Sequence, residues 1–388
     1  MTLSDVFSCD WLVVVIDVQS QIKHIIVNDR DKLIKLYEDN KDNIGIGFNS
    51  RHYDQWILKG VICDFDPKKI NDHIIVNGEP GYSFSSLLNK ISLNNFDIMT
   101  SLHGLKQLEG FMGNNIRESD VPFDIERKLT DKELNEVIKY CEYDVEQTIE
   151  VFLRRQEEFN SQMSLLKAFN LPIKYINKTK AQLSAIILGA NKNKYNDEFN
   201  ISIPSTLDIK KYSYIVNWYK NPLNLDYSKK LVTDVMGVKH IFAWGGLHGA
   251  LENYHDEGIF VNVDVASYYP ALMIEYNYSS RSISNPNKYR EIRDTRLELK
   301  KNKDPMQAPY KIVLNSTYGA MKDQYNNLYD PLMANNVCVA GQLLLLDLIE
   351  HVERVNKFKL IQSNTDGVMF KLERTEDLDL LKEVCSEW

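Results

Sequence analysis

The stretch KIVLNSTYG, residues 311–319, carries more chemical information than any other in this chain. On a helix, Lys311, Asn315 and Tyr318 stand at positions i, i+4 and i+7, so an amine, an amide and a phenol share one face. A polar helix face is often only solvated, and the stretch by itself predicts a helix and nothing more. Its weight comes from what precedes and follows it along the chain.

An acid accompanies a strand on each side of this stretch. Upstream, IFVNVDV (residues 259–265) predicts a strand with Asp264 near its end, followed by the turn segment ASYYP. Downstream, NTDG (residues 364–367) joins two β-rich runs and contains Asp366. Taken singly, Asp264 is explained as the cap of the next helix. NTDG is likewise explained as a hairpin turn that needs positive φ.

Together the three segments favour a different interpretation. Two-metal phosphoryl transfer requires two carboxylates from different strands, holding cations about 3.5–4 Å apart. It also requires cationic side chains opposite them that bind a triphosphate. Residues 281–311 contain nine Lys and Arg against four Asp and Glu, although the whole chain has a net charge of −8. This basic island predicts a place that binds phosphate.

The three segments resemble motifs A, B and C of family B DNA polymerases, whose patterns are D-x-x-S-L-Y-P, K-x-x-x-N-S-x-Y-G and D-T-D-S. Motif B is matched at all of its fixed positions. Tyr268 stands where motif A has leucine, and Asn364 stands where motif C has its first aspartate. The amide at position 364 removes one negative charge near the expected metals, which predicts weaker ion binding rather than none.

The resemblance implies a role for each matching residue. Asp264 and Asp366 would be catalytic and would bind two divalent ions, Mg²⁺ or Mn²⁺, with the Val265 carbonyl as a further ligand. The residues expected to bind the incoming nucleotide are Ser267, Tyr268, Tyr269, Arg296, Lys300, Lys311, Asn315 and Tyr318.

Within that set the resemblance separates three tasks. Arg296, Lys300 and Lys311 would hold the phosphates, and Asn315 with Tyr318 would line the pocket of the nascent base pair. Tyr269 resembles the gate that excludes a ribose 2′-hydroxyl. Outside the set, Gly245 and Gly246 resemble the Y-x-G-G loop of the family without its tyrosine, and are expected to contact DNA.

The first 155 residues alternate β-rich runs with helices, which predicts a mixed α/β domain. WLVVVIDVQ and IKHIIVN (residues 11–19 and 22–28) predict a hairpin, and Asp29 is a predicted helix N-cap. A long amphipathic helix is predicted to begin at Thr130 or Asp131.

This region resembles the 3′–5′ exonuclease domain of the same family, an RNase H-like fold with four acids. NSRHYD fits the second exonuclease motif through Asn49, which is also expected to contact DNA, and Asp54. YCEYD fits the third motif through Tyr140 and Asp144. The alternative for each acid is ordinary loop or helix charge.

The first exonuclease motif, D-x-E, is damaged. Leu3-Ser4-Asp5 offers only Asp5 as a ligand, and Asp17-Val18-Gln19 offers another register at the end of the predicted hairpin. Exonuclease activity is therefore expected to be impaired.

The expected fold is α/β and α+β, in several domains. An RNase H-like exonuclease domain with an incomplete first strand is predicted for residues 1–155, and a connector for residues 156–239. A polymerase palm with short helical-hairpin fingers at about 286–320 is predicted for residues 240–388. The family's thumb has no counterpart after motif C, so the thumb is expected to be absent. The short fingers resemble those of phage-encoded polymerases.

The expected function is DNA-directed DNA synthesis, in which dNTPs are added to a primer 3′-end on primer-template DNA. Two alternatives remain open. One is an enzyme that is only a nuclease. The other is an inactive or split-polymerase fragment that binds primer-template DNA and needs a second polypeptide to supply the thumb.

Composition narrows the class of protein. With 388 residues, 44% of them hydrophobic and 26% charged, the chain is typical of folded globular proteins rather than disordered ones. Five cysteines without a C-x-x-C pair argue against a disulfide framework and a structural zinc site. No apolar run reaches the roughly 18 residues of a membrane span. We expect a cytoplasmic protein, in the host cell if it is phage-encoded.

Overall fold

The computed structural model describes residues 2–99 and 103–388, and of residues 2–5 it describes the backbone alone. The chain divides into two compact units, Met1–Lys178 (unit 1) and Thr179–Trp388 (unit 2). Both combine helices with strands, so the protein is a mixed α/β protein of more than one domain. The division falls inside the segment that the sequence assigns to a connector, and each unit takes part of it.

Unit 1 contains five strands and six helices among its described residues, together with short π and 3₁₀ turns. Its elements are β1 (Thr2–Val6), β2 (Trp11–Ile16), β3 (Lys23–Val27), α1 (Arg30–Asn40), β4 (Gly45–Gly47), α2 (Asp54–Ile62), α3 (Pro67–Asn71), β5 (Asn95–Asp97), α4 (Leu105–Met112), α5 (Asp131–Arg154) and α6 (Gln156–Ala168). β1, β2 and β3 form an antiparallel sheet with β2 in the centre, and β4 pairs with β5 in parallel.

The central strand β2 is apolar at every position because helices cover both faces of the sheet. Successive strand side chains point to opposite faces. Leu12 and Val14 pack in the same core as Val137 of α5. Val13, between them, packs with Leu33 of α1 on the other face. The predicted β2–β3 hairpin is confirmed, with Leu12 opposite Val27 in its register.

The helix starts predicted from the sequence are also confirmed. The Asp29 carboxylate accepts the Lys32 backbone N–H at 2.9 Å and caps α1. Thr130 caps α5, and the Glu133 side chain bonds back to the Thr130 N–H in a capping box. Each of these contacts satisfies a backbone donor that a helix start leaves unpaired.

Unit 2 contains six strands and seven helices among its described residues. Its elements are α7 (Lys180–Ile187), α8 (Ser213–Lys220), β6 (Lys230–Val235), β7 (Val238–Ala243), β8 (His248–Ala250), β9 (Ile259–Asp264), α9 (Tyr268–Glu275), α10 (Asn287–Lys301), α11 (Gln307–Lys322), α12 (Pro331–Val355), β10 (Lys359–Ser363), β11 (Gly367–Leu372) and α13 (Asp377–Glu387).

The six strands of unit 2 form one antiparallel sheet in the order β6-β7-β8-β10-β11-β9. β9 lies beside β11 although α9, α10, α11 and α12 separate them in sequence. The exposed residues of β9 alternate with partly buried ones, so one face of this edge strand is open. This pairing brings the two predicted acidic segments side by side.

Helix α12 is buried along most of its length in unit 2. In the part of the chain that the structure describes, it alone is long and apolar enough to cross a membrane, yet 89% of its most apolar stretch is buried inside the protein. It packs against α9, α11, α13 and β11. The burial accounts for its composition, because a helix enclosed on all sides is apolar all round.

Candidate active site

Two carboxylates lie at one edge of the unit 2 sheet. Asp264 pairs with Gly367 in the strand register, and the Val265 N–H donates to the Asp366 carbonyl at 2.9 Å. Both acidic side chains are exposed. Asp264 accepts a hydrogen bond from the Asn262 amide at 2.7 Å. Among the described residues neither carboxylate makes an ion pair, so both are available to a cation. We call this pair the Asp264/Asp366 edge.

The turn that carries Asp366 is shaped by Asn364. The Asn364 side-chain oxygen accepts the Asp366 N–H at 3.2 Å and the Gly367 N–H at 2.7 Å. The Asn364 backbone N–H donates to the Gly367 carbonyl at 2.9 Å. A Cβ at Gly367 would collide with the Asp264 carboxylate. A larger residue at position 367 would therefore displace the Asp264 carboxylate, and the Asn364 amide binds the backbone of the turn. The positive φ that the sequence predicts for this turn does not occur at residues 364–367, so that prediction is wrong.

A buried arginine holds the segment just after Asp264. Ser267 has a left-handed backbone (φ 54°) before α9, and its hydroxyl accepts a hydrogen bond from Arg296 of α10 at 3.0 Å. Arg296 is only 8% exposed and also reaches Gln307 of α11 at 3.4 Å. Its guanidinium thus links both helices to the Asp264/Asp366 edge. Tyr268 points into the core, where its hydroxyl donates to the Gly341 carbonyl at 2.7 Å.

Two tyrosines predicted to line the nucleotide pocket lie in contact. The rings of Tyr269 and Tyr318 are 4.5 Å apart, edge to face. Burial raises the pKa of both phenols well above the usual value, which keeps them neutral at physiological pH. The buried thiol of Cys338 on α12 lies near Tyr318 and contributes to its raised pKa. The sequence analysis did not single out Cys338.

The glycine loop is tied to the same helix. The Cys338 thiol donates to the Gly245 carbonyl, and the Gln342 amide donates to that carbonyl at 2.9 Å. A Cβ at Gly246 would stand 2.7 Å from the Thr365 hydroxyl in the turn before Asp366. Gly245 and Gly246 therefore lie between α12 and that turn. Side-chain hydrogen bonds to a Gly-Gly carbonyl leave no pattern that a sequence alone reveals.

The remaining predicted nucleotide-binding residues are exposed and uncommitted. Lys300 lies at the end of α10, while Lys311 and Asn315 lie on α11. In the described part of the chain their side chains make no hydrogen bond or ion pair. Their amine and amide groups are consequently free to bind an anion.

In unit 1, the segment with Asn49 and Asp54 is fastened to β5. The Asp97 carboxylate accepts the Asn49 N–H at 3.0 Å and the Arg51 N–H at 2.8 Å, with Asn49 in a left-handed conformation (φ 56°). Asp54 is buried at the start of α2 and lines a cavity of about 800 Å³. Asp97 is a further residue that the sequence analysis missed, because its partners are backbone groups.

The acid of the segment predicted to be a third exonuclease motif faces an ammonium group. Asp144 on α5 is 6% exposed and lies 2.5 Å from the Lys106 Nζ of α4; it is also hydrogen-bonded by Tyr140. Lys106 lies 3.4 Å from Glu109 as well, and 4.8 Å from the centre of the Tyr140 ring. We call Lys106, Glu109 and Asp144 the Lys106 cluster.

The Lys106 cluster has one cation for two buried acids. Glu109 is fully buried, and neither of its carboxylate oxygens has a hydrogen-bond partner among the described residues. Burial raises the pKa of Glu109 and of Asp144, with Lys106 opposing the rise in both. The cation that faces these two acids is the side chain of Lys106.

Asp5 and Asp17 are the two alternative acids predicted for a first exonuclease motif, and the structure describes the side chain of Asp17 but not that of Asp5. The backbone of Asp5 lies in β1 opposite Leu12, whereas its side chain lies outside the described residues. Asp17 accepts the Gln19 and Ser20 N–H groups at 2.8 and 2.9 Å in the β2–β3 turn. These bonds lower the pKa of Asp17, and they give this acid a structural task in the turn.

The donor set of the Asp264/Asp366 edge suits a hard divalent cation. No group of three or more His, Cys, Asp or Glu side chains able to hold a metal occurs in the described ranges, 2–99 and 103–388. The Asp264 and Asp366 carboxylates offer oxygen atoms, the type of ligand that Mg²⁺ prefers while keeping several of its waters. The edge therefore fits a metal held by few protein ligands.

Comparison with known proteins gave one kind of match. No protein-family model matches the chain, and no curated protein matches it. Among solved structures, the chain is similar to the family B DNA polymerase from the hyperthermophilic archaeon Pyrobaculum calidifontis, with 12% identity and a TM-score of 0.48. The match covers 97% of this chain and 52% of that one, so the chain spans about half the length of that polymerase. Similarity at this level does not by itself assign a family.

Proposed function

We propose that the chain is a DNA-directed DNA polymerase that adds dNTPs to a primer 3′-end by two-metal phosphoryl transfer. One observation carries the proposal. Asp264 ends β9 and Asp366 directly precedes the adjacent antiparallel strand β11; both carboxylates are exposed and make no ion pair among the described residues, and the basic helices α10 and α11 follow Asp264 in sequence. The motif resemblance supports the same function from the sequence.

In this proposal the two carboxylates and the Val265 carbonyl would hold two Mg²⁺ ions. When bound, such ions polarise the phosphoryl group and stabilise the attacking and leaving oxygens. The protein's own contribution is to fix the carboxylates. The Val265–Asp366 backbone bond aligns the strands, and Asn364 sets the turn that presents Asp366. Asn262 orients the Asp264 carboxylate.

The nucleotide would be bound by the helices that follow. Lys300 and Lys311 are free cations that neutralise a triphosphate as it approaches, and the buried Arg296 is already oriented by Ser267 and Gln307. The Tyr269–Tyr318 pair forms a rigid neutral wall suited to a sugar and base. A phenol fixed by a second ring resists displacement, as a gate against a 2′-hydroxyl requires.

For unit 1 we propose that 3′–5′ exonuclease activity is impaired. The Asp144 carboxylate is paired with Lys106, and an ammonium at 2.5 Å competes with a metal for the same oxygen. The first motif offers Leu3 where a ligand is expected. Both features would weaken metal binding at the proposed exonuclease site.

Primer extension tests the main proposal. A labelled primer on a template, with Mg²⁺ and then Mn²⁺, is expected to lengthen with the wild-type chain. Asp366→Ala should lower the rate by at least about 10³-fold, because the cations lose a ligand. The matched control is Asp379→Ala, an exposed acid of the same unit paired only with Lys382, which should leave the rate unchanged.

Other outcomes separate the alternatives. Equal extension by wild type and Asp366→Ala would refute the proposed site. No extension in either metal, with DNA still bound, would favour a fragment that needs a second polypeptide for the thumb. The same reaction without dNTPs should show little shortening of the primer; rapid shortening abolished by Asp144→Ala would contradict the impaired exonuclease.

A further inference from the structure

Tyr325 of unit 2 is highly exposed to solvent although it lies on an ordered segment. Tyr325 lies between α11 and α12 and is 79% exposed, among the highest exposures of any large apolar or aromatic side chain in the described residues. Burial of an aromatic ring is favourable by a few kcal/mol at most sites. A ring left in water on an ordered segment therefore calls for an explanation.

The segment around Tyr325 is ordered by its own hydrogen bonds. The Tyr325 N–H donates to the Asp323 carboxylate at 2.9 Å, and the Leu328 N–H donates to the Asn326 side chain at 2.9 Å. Asn326 and Leu328 are buried, and Ser280 donates to the Leu328 carbonyl at 2.9 Å. The buried residues that directly follow Tyr325 thus anchor the backbone, while the Tyr325 side chain is left exposed.

The surroundings of Tyr325 are cationic. The Lys192 ammonium stands over its ring, 5.9 Å from the centroid. Lys322, three residues before Tyr325, is exposed like Lys192, and its ammonium stands over the neighbouring Tyr318 ring.

The lysines beside Tyr325 are available to phosphates, because within the described ranges no acid makes an ion pair with Lys192 or Lys322. The acid closest in sequence is Asp323, whose exposed carboxylate accepts the Tyr325 N–H at 2.9 Å.

Tyr325 follows, in sequence, a stripe on α11 that begins in the proposed active site. Lys311, Asn315, Tyr318 and Lys322 recur along α11 at spacings of four, three and four residues, which places them on one face. The Lys322 ammonium stands 4.9 Å from the centre of the Tyr318 ring. The stripe from Lys311 to Lys322 is about 16 Å long, at about 1.5 Å per residue. Tyr325 follows three residues after its end.

We propose that Tyr325, with Lys192 and Lys322, is a stacking platform for the unpaired template strand ahead of the primer end. Proteins that bind single strands combine aromatic rings, on which any base stacks, with cations that contact the phosphates. The inference rests on the proposed polymerase function, since it takes the strand that leaves the nascent base-pair pocket as the one bound. An exposed ring with one lysine over it and a second lysine three residues earlier favours an anionic strand over an uncharged protein surface.

The first experiment measures single-strand binding without catalysis. A labelled dT₁₂ oligonucleotide should bind Tyr325→Ala about tenfold more weakly than wild type, because base stacking on one ring contributes about 1–3 kcal/mol. Tyr325→Trp should restore binding to within about twofold and show tryptophan quenching by the DNA. Lys192→Met should reduce the salt slope of binding by about 0.7. Tyr214→Ala, another exposed tyrosine of unit 2, is the matched control and should bind like wild type.

The second experiment ties the platform to the template. Tyr325→Ala should raise the KM for primer-template about tenfold when the template overhang has ten nucleotides, and should not change it with a one-nucleotide overhang. Equal binding of dT₁₂ by wild type and Tyr325→Ala would overturn the proposal, as would an equal loss with both overhangs. Because dT₁₂ binding needs no turnover, a failure of the polymerase proposal would be seen separately, as binding without extension.

Discussion

The Asp264/Asp366 edge and the Lys106 cluster are two acidic sites that differ in what surrounds their carboxylates. In unit 2 the acids are exposed, unpaired and held by backbone hydrogen bonds between strands. In unit 1 Asp144 is buried and lies 2.5 Å from an ammonium group. A carboxylate in water binds a cation at little cost, whereas a buried one must be neutralised as the protein folds. The first arrangement leaves both carboxylates without an ion pair, whereas the second already contains an ammonium group.

The largest expected effect follows removal of the Lys106 ammonium group from the Lys106 cluster. Lys106→Met leaves two buried carboxylates unpaired and should lower the free energy of unfolding of unit 1 by about 3 kcal/mol. Hydrogen exchange of β2 amides, followed by mass spectrometry, reports on this unit alone. The control is Lys35→Met, an exposed lysine of the same unit, which should change stability by less than about 0.5 kcal/mol. Equal protection in both variants would contradict the cluster.

A smaller effect concerns pH. The pKa values of Glu109 and Asp144 are raised in the folded protein, so the folded state binds more protons than the unfolded state above about pH 4. The stability that these groups contribute is therefore full below their unfolded pKa values, and it is lost as the pH rises through the raised ones.

Glu109→Gln should flatten this dependence. The measurement is β2 hydrogen exchange between pH 4 and 8, corrected for the intrinsic exchange rate. Glu126→Gln, an exposed acid of unit 1, is the control and should retain the wild-type slope. A Glu109→Gln slope equal to that of wild type would show that the buried acid does not titrate in this range.

The smallest expected effect concerns Asn364, next to the Asp264/Asp366 edge. Asn364→Ala removes two hydrogen bonds of the turn and should slow primer extension by up to about 30-fold, since each bond contributes about 1 kcal/mol. Asn364→Asp keeps both acceptors and adds a charge beside the Asp264/Asp366 edge. It should lower the Mg²⁺ concentration for half-maximal extension a few-fold. Identical Mg²⁺ curves for Asn364→Asp and wild type would mean that position 364 acts on the turn alone.

Local signals predicted the elements of this chain well. The Asp29 and Thr130 caps, the β2–β3 hairpin and the NTDG turn each depend on residues a few positions apart. Periodicity placed Lys311, Asn315 and Tyr318 on one face of α11. The roles of the predicted site residues in binding metal, nucleotide or DNA remain predictions, because these roles depend on partners.

Long-range contacts escaped the sequence analysis. Lys106 and Asp144 are far apart in the chain, and nothing in the text around Lys106 marks it as the partner of an acid. The same holds for Cys338 with Gly245, and for Asp97, whose partners are backbone N–H groups. The boundary between the units, after Lys178, likewise depends on packing rather than on composition.

The sequence by itself determined which residues are able to carry charge and metal, and in what order: an acid ending a strand, a basic helical pair and an acid in a hairpin turn. Only the tertiary structure decided which of these acids are available. Residue type sets the ordinary pKa and the ligand chemistry, but solvent exposure and neighbouring charge set the cost of ionisation. Those neighbours come from strands and helices that meet only in the folded chain, as β9 meets β11 and α4 meets α5.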